Sequence, residues 1–362
     1  MRISFILSSL RLSGGVRVVI EYANRLAERG HEVTMVVPAG TLDEDIAQAV
    51  STRVAVHQAD GIVPSQIVRK IPYLSMLVIS WSLAESVPPC DVVIATHTPT
   101  TVAAALASHL LRKGKPVWFY QDYFEMFIGR PIESWLASHA LRWFACALVV
   151  SRYSTDELQR YYRGNVVWVG EGLSQAELFH PLPTDQNQDD ADGRMNILFL
   201  GDMRPRKGLS DFLRAAALVY QQLPKVQLWV VSKDKCQIIT QLPFNFFYRP
   251  SRAELARLYA SCDAFVSASW WESFGLPPLE AMACGAPVVL TDSRGVHQFA
   301  EPGENCLMVP PRNPQLLADS ILEVLTNAEL ANKLRRNGPL TAAQFSWDQA
   351  VQRFERTLDD LF

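Results

Sequence analysis

The chain has 362 residues, 49% of them hydrophobic and 20% charged, with 34 Lys and Arg against 37 Asp and Glu for a formal net charge of -3. That length exceeds one ordinary hydrophobic core and suits two domains of roughly 150 to 200 residues. The balanced, interspersed charges exclude the basic face that nucleic-acid binding needs, and the composition excludes a disordered or fibrous chain.

The run Ile3-Leu7 is too short for a signal sequence and reads as a buried first strand. It leads into Leu12-Ser-Gly14-Gly15-Val-Arg17, a turn that lacks bulk and exposes amides for close approach to a ligand, although any tight strand-helix connection could use two glycines. Val19, Ala23, Leu26 and Ala27 then recur at helical spacing, and Gly30 supplies the stop. Val33-Val37 is the second strand. It ends in Val36-Val37-Pro38, without the acidic residue that a nicotinamide-dependent oxidoreductase needs for its ribose.

Ile71 to Ala84 approaches membrane-like composition but is below the ~20 residues needed to span. It reads as a helix in a core or acceptor wall, with an interfacial anchor as the alternative. Strands follow at Val92-Ala95, Val117-Tyr120, Ala147-Val150 and Val166-Val169. Two of them end in polar clusters, Thr96-His97-Thr98 and Gln121-Asp122-Tyr123, where open parallel sheets bind ligands. His97 alone reads as readily as a structural histidine.

The polar stretch at 183–193 marks a solvated linker. A second series of strands, at Asn196-Leu200, Gln227-Val231, Ala264-Ser267 and Pro287-Leu290, alternates with helices around Ser210-Gln222, Ala253-Ala260, Pro278-Cys284 and Pro314-Thr326. The last stretch, Trp347-Phe362, carries an apolar stripe that must cover one of the two domains. The expected organisation is therefore an N-terminal Rossmann-like domain at 1–182, a linker at 183–195, a C-terminal Rossmann-like domain at 196–344, and a terminal helix at 345–362 packing on the N-terminal domain.

Cys90, Cys146, Cys236, Cys262, Cys284 and Cys306 are scattered without a CxxC pair, so free thiols in a reducing cytoplasm are expected rather than a zinc site or a disulfide framework. No Asp-x-Asp ends an apolar strand and no His, Asp or Glu cluster has ligand spacing, so no metal is expected.

The most informative segment is Glu272-Ser-Phe274-Gly275-Leu276-Pro-Pro-Leu-Glu280-Ala-Met-Ala-Cys-Gly285. It reads as a loop and a short helix with proline in its first turn, aiming the amides of Phe274, Gly275 and Leu276 at an anion. Glu272 and Glu280 can border that pocket and accept hydrogen bonds from hydroxyls. A second anion site is written in Gly201-Asp202-Met-Arg204-Pro-Arg206-Lys207-Gly208, a cationic loop entering a helix.

The segment Glu272 to Glu280 resembles the E-x7-E signature of the large family 4 of retaining glycosyltransferases, whose fold, called GT-B, has two Rossmann-like domains facing each other across a cleft. The resemblance implies transfer of a hexosyl or deoxyhexosyl group from a nucleotide diphosphate sugar to a glycan, lipid-linked or small-molecule hydroxyl acceptor, with no cofactor. It places Glu272 at the transferred sugar, Glu280 at the ribose, and the backbone of Phe274, Gly275 and Leu276 at the diphosphate or donor sugar. Lys207 keeps the lysine position of the family pattern, whereas Asp202 occupies its arginine position, so that Arg204 or Arg206 must supply the charge. Gly14, Gly15 and His97 become plausible substrate contacts, and Gln121-Asp122 stands where relatives carry a histidine, making Asp122 a candidate catalytic group. A nucleotide-sugar epimerase on the same fold and a non-catalytic carbohydrate-binding protein are the competing readings. A cytoplasmic location is expected, with the inner face of the membrane as an alternative through weak peripheral contact.

Overall fold

A computed structural model describes residues 1–59, 72–162, 164–182, 193–235 and 238–362. The chain forms two α/β units, Met1–Glu171 with Trp347–Phe362, and Gly172–Ser346. Each is built on one wholly parallel sheet.

The first unit holds β1 (Arg2–Ile6), β2 (Glu32–Pro38), β3 (Val54–Ala59), β4 (Val92–Ala95), β5 (Lys115–Tyr120), β6 (Cys146–Val149) and β7 (Val166–Trp168) in the spatial order 3-2-1-4-5-6-7. The inner strands are buried apolar runs, as parallel strands covered on both faces must be. Ile3 pairs with Val33 on one side and Val92 on the other, so the strand order reverses at β1 and β4. The first helix, Gly14–Glu28, is capped by Ser13, whose hydroxyl accepts from Val16 N at 3.3 Å. The terminal helix Trp347–Asp359 belongs to this unit. Its Phe354 lies 4.6 Å from the Tyr22 ring and 5.8 Å from Phe119, and Trp347 meets Tyr22 edge to face at 5.1 Å.

The second unit holds β8 (Met195–Gly201), β9 (Val226–Ser232), β10 (Phe244–Tyr248), β11 (Ala264–Ser267), β12 (Val288–Thr291) and β13 (Leu307–Val309), in the order 10-9-8-11-12-13. Its strand order reverses between β8 and β11. Ile197, Phe199, Phe212, Val266, Val289 and Ile321 fill its core.

Several expectations need correction. The change of unit falls between Glu171 and Gly172 rather than at 182. Residues after it are held by the second unit, where Leu173 N donates to Phe345 O at 3.0 Å and Phe179 packs 6.2 Å from Tyr259. The expected linker at 183–195 lies mostly outside the described residues, and β8 begins within its last residue. Three strands went unread, β3, β10 and β13, all at sheet edges where exposure dilutes the apolar pattern. A further helix, Ala328–Ala342, runs through Gly338-Pro339, a pair that reads as a turn. Gly338 is there because a Cβ would come within 3.0 Å of Met282 O, so the two helices approach closely.

Among the described residues, all five cysteines are buried and unpaired, and burial pushes the Cys146, Cys262 and Cys306 thiols up to about 12. No described helix is long and apolar enough to cross a membrane.

Candidate active site

In a doubly wound sheet, loops leaving the carboxyl ends of strands on either side of the reversal diverge and leave room for a ligand. In the second unit these loops are 202–208 after β8 and 268–275 after β11. They carry Arg204, Arg206, Lys207, Glu272, Phe274 and Gly275 of the residues singled out from the sequence.

Lys207 Nζ donates to Glu272 Oε1 at 2.5 Å, and Arg206 Nη1 stands 3.6 Å from Glu272 Oε2. Burial alone would raise the Glu272 carboxyl, but Lys207 and Arg206 outweigh it and hold the group below the usual carboxylate range. The two loops are tied by backbone as well: Trp270 N donates to Arg206 O at 2.7 Å, and Arg206 Nη1 to Trp271 O at 3.3 Å. Gly208 closes the cationic loop at φ +71°, where a Cβ would strike Ala268 O at 2.0 Å, so only glycine lets the loop lie against β11's exit.

The Glu272 backbone is fixed from the other side. Its N–H donates to Ser293 O at 2.9 Å, its carbonyl accepts from Gly295 N at 3.0 Å, and Arg294 between them takes φ +71°. Gly275, at φ +98°, then starts the helix Leu276–Ala283. Pro277 and Pro278 have no N–H, so the donors at this helix end are those of Phe274, Gly275 and Leu276, at the positive end of the dipole.

Arg204 and Arg206, interchangeable in the sequence, are distinct here. Arg204 forks onto Asp202, with Nε at 2.8 and 3.0 Å from its two oxygens. Burial would raise Asp202, but Arg204 holds its carboxyl below the ordinary value. Arg206 is the arginine beside Glu272. Lys233, which follows β9, completes the group: burial first, and then the like charge of Arg204, lowers its ammonium. Four cations, Arg204, Arg206, Lys207 and Lys233, thus gather about Asp202 and Glu272.

Glu280 is buried on the helix and takes Arg252 Nη2 on Oε1 at 2.9 Å, with Tyr259 OH at 3.4 Å from Oε2. Arg252 also stacks over the Phe179 ring at 4.3 Å. Neither Arg252 nor Lys233 was read from the sequence. Lys233 had a signal, a cation at a strand's carboxyl end beside the reversal. Arg252 had none, since nothing in Ser251-Arg252-Ala253 announces its carboxylate.

The first unit brings a second set together. A Cβ on Gly15 would meet His97 Cε1 at 3.1 Å and Gln121 Oε1 at 3.3 Å, so both side chains lie over the turn. Gly14 has open space beside it. Asp122 Oδ2 accepts from Thr98 N and Thr98 Oγ1, both at 2.7 Å, and Oδ1 lies 3.7 Å from His97 Nδ1. Asp122 is buried and turned toward Thr98 and His97, a positioning geometry rather than that of a base open to substrate. His97 Nδ1 and Gln121 Oε1 are buried without a hydrogen-bond partner.

Among the described residues no three His, Cys, Asp or Glu side chains come together as a metal site.

Two family models match the chain, one described as Glycosyltransferase Family 4 over residues 12–172 and one as Glycosyl transferases group 1 over 194–327. An uncharacterized glycosyltransferase of Methanocaldococcus jannaschii is 26% identical over 224 residues, 59% of each chain. Matches to the first curated relatives span between 41% and 59% of the relatives' lengths. The fold is similar to that of sucrose-phosphate synthase from Thermosynechococcus elongatus, with TM-score 0.79 and 19% identity over 100% of this chain and 99% of that one. It is also similar to Anabaena HepE, solved in complex with UDP-glucose, with TM-score 0.78 and 20% identity over 99% and 100%.

Proposed function

The chain belongs to the family 4, group 1 glycosyltransferases, and on that premise we propose that it transfers a sugar from a nucleotide diphosphate donor to a hydroxyl acceptor with retention at the anomeric carbon. The observation that carries the reading is the Lys207–Glu272 pair, with Arg206 behind it, beside the amides of Phe274, Gly275 and Leu276.

In the proposed reaction the bond between the anomeric carbon and the diphosphate oxygen breaks, and a bond to the acceptor oxygen forms on the same face. The acceptor's proton passes to the departing phosphate, so no enzyme base is required. What the protein supplies is charge where charge develops. Lys207, Arg206 and the three amides meet the diphosphate without a metal ion, and Glu272, ionised by its neighbours, orients the sugar hydroxyls. Glu280 is proposed to accept the ribose hydroxyls, with Arg252 holding its carboxylate in place. In the first unit Gly14, Gly15 and His97 are proposed to contact substrate, with Asp122 fixing the His97 ring.

The donor is proposed to be a uridine or related nucleotide sugar. The test is a thermal-shift screen against UDP, GDP, dTDP and ADP and their sugars, followed by product analysis with and without an acceptor. One nucleotide should raise the unfolding temperature, and sugar transfer should require acceptor. A sugar isomer released without acceptor would establish the epimerase reading, and no response to any nucleotide would refute both.

A further inference from the structure

The helix Pro72–Ser86 is apolar on both its faces: Leu83 and Ala84 are buried in the core of the unit, yet large apolar side chains also point outward. Leu74, Leu77 and Trp81 form one stripe at helical spacing and face solvent, with Leu77 51% and Trp81 40% exposed. Ser80 and Ser82 of the same helix are buried, at 3% and 8%. An ordinary amphipathic helix would place polar residues on the outward face, so the outward apolar stripe is suited to an apolar medium. No charged residue occurs between Pro72 and Ala84, and at 15 residues the helix is too short to span a bilayer.

Its neighbours extend the character of the face. The helical stretch Thr101–Leu110 packs beside it, and Leu110 is 60% exposed. His109, in that stretch, contacts Trp143 O at 2.7 Å, and Trp143 lies 5.9 Å from the exposed Trp135. Cations accompany these apolar groups. Arg112 and Arg142 are exposed, and Lys113 Nζ donates to the carbonyl of the exposed Glu85 at the end of the helix, so three cations face one carboxylate there. Large apolar side chains, two tryptophans and bordering cations are the combination that an anionic bilayer surface recognises, by partial insertion and by attraction to lipid phosphates. A protein partner would be matched by the apolar stripe alone and would leave the cations unexplained.

We propose that this face of the first unit docks on an anionic phospholipid surface, with Leu74, Leu77 and Trp81 entering the headgroup region and Arg112, Lys113 and Arg142 meeting its phosphates. The helix runs back toward β4, so its Leu74 end lies toward the carboxyl edge of the sheet where Gly15, His97 and Asp122 sit. Arg112, Lys113 and Arg142 lie at the opposite edge, before β5 and β6, so docking would lay the length of the helix along the membrane.

The experiment is sedimentation of the full chain with vesicles of phosphatidylcholine alone or mixed with phosphatidylglycerol. The readout needs neither donor nor acceptor, so it stands apart from the transferase reading. The expected result is binding to the mixed vesicles, weakened about tenfold or more by Leu77→Ser with Trp81→Ser and also by Arg112→Glu with Arg142→Glu. Thermal unfolding should be unchanged in both, since all four side chains are exposed; Trp81→Ser alone serves if the double variant unfolds. Absence of vesicle binding, or binding insensitive to the Leu77 and Trp81 changes, would overturn the proposal. So would a wild-type dimer by light scattering that the same changes dissociate without any vesicle binding, which would make the face an interface between copies.

Discussion

Lys207→Ala separates the charge assigned to catalysis from the charge that holds the loop. On an effective dielectric constant of about 20, a full charge 2.5 Å from Glu272 Oε1 has a gross attraction of about 6.6 kcal/mol, and one at 3.6 Å about 4.6 kcal/mol. Removing Lys207 therefore takes the larger partner from a carboxylate that is mostly buried, but leaves Arg206. Breaking a buried pair outright costs about 3–5 kcal/mol. With Arg206 still in place we expect about 1–2 kcal/mol, a fall in Tm of roughly 2–8 °C for a unit of this size. Turnover should fall much further, by about 2.7–4 kcal/mol or 10²–10³-fold, the loss seen when one oriented donor is taken from a developing anion. Stopped-time assays of nucleotide diphosphate release and thermal unfolding measure the two separately. The double variant Lys207→Ala with Glu272→Gln should regain stability, because the under-compensated carboxylate is gone, while activity stays low. Normal turnover in Lys207→Ala would refute the diphosphate role, and a double variant less stable than either single one would refute the electrostatic account of the loop.

Glu280→Ala should weaken nucleotide binding by about tenfold or more, through the loss of ribose hydrogen bonds to a charged acceptor worth roughly 1.5–3 kcal/mol. Titration calorimetry checks it, and unchanged affinity would remove Glu280 from the site. Glu157→Gln should change how stability depends on pH. Burial pushes the Glu157 carboxyl up to about 7, although Tyr120 OH donates to it at 2.7 Å and Phe124 N at 3.1 Å. A folded value above the unfolded one means that this group's contribution is fully present below about pH 4.5 and is lost as pH rises to about 7. The loss is roughly 3 kcal/mol in the wild type and absent in the variant. Denaturant unfolding at pH 4.5, 6 and 7.5 measures it, and parallel pH curves for the two proteins would contradict the assignment.

The inner strands of both sheets were legible because parallel strands covered on both faces are written as uninterrupted apolar runs. Val92-Ala95 and Ala264-Ser267 were read to the residue. The edge strand Val54–Ala59, with His57 and Gln58 open to water, carries a pattern that a loop could equally show. The unit boundary was misplaced for a related reason. The charged stretch after residue 183 is the more visible feature, while the change of unit at Glu171–Gly172 has no compositional mark and is set by what Leu173 and Phe179 pack against.

The same division runs through the site. Glycine, proline and glutamate at fixed spacing announce a loop entering a helix, since backbone requirements at Gly208 and Gly275 are local and leave a trace in sequence. Which cation answers which carboxylate is not local. Arg204 and Arg206 are two residues apart and chemically identical, yet one forks onto Asp202 and the other reaches Glu272, because the single turn Pro205–Lys207 points them in different directions. The pairing also accounts for the departure from the family pattern at Asp202. A carboxylate there pairs the nearest arginine and leaves Lys207 and Arg206 to Glu272. Asp202→Ala should therefore release Arg204 rather than empty the site of charge.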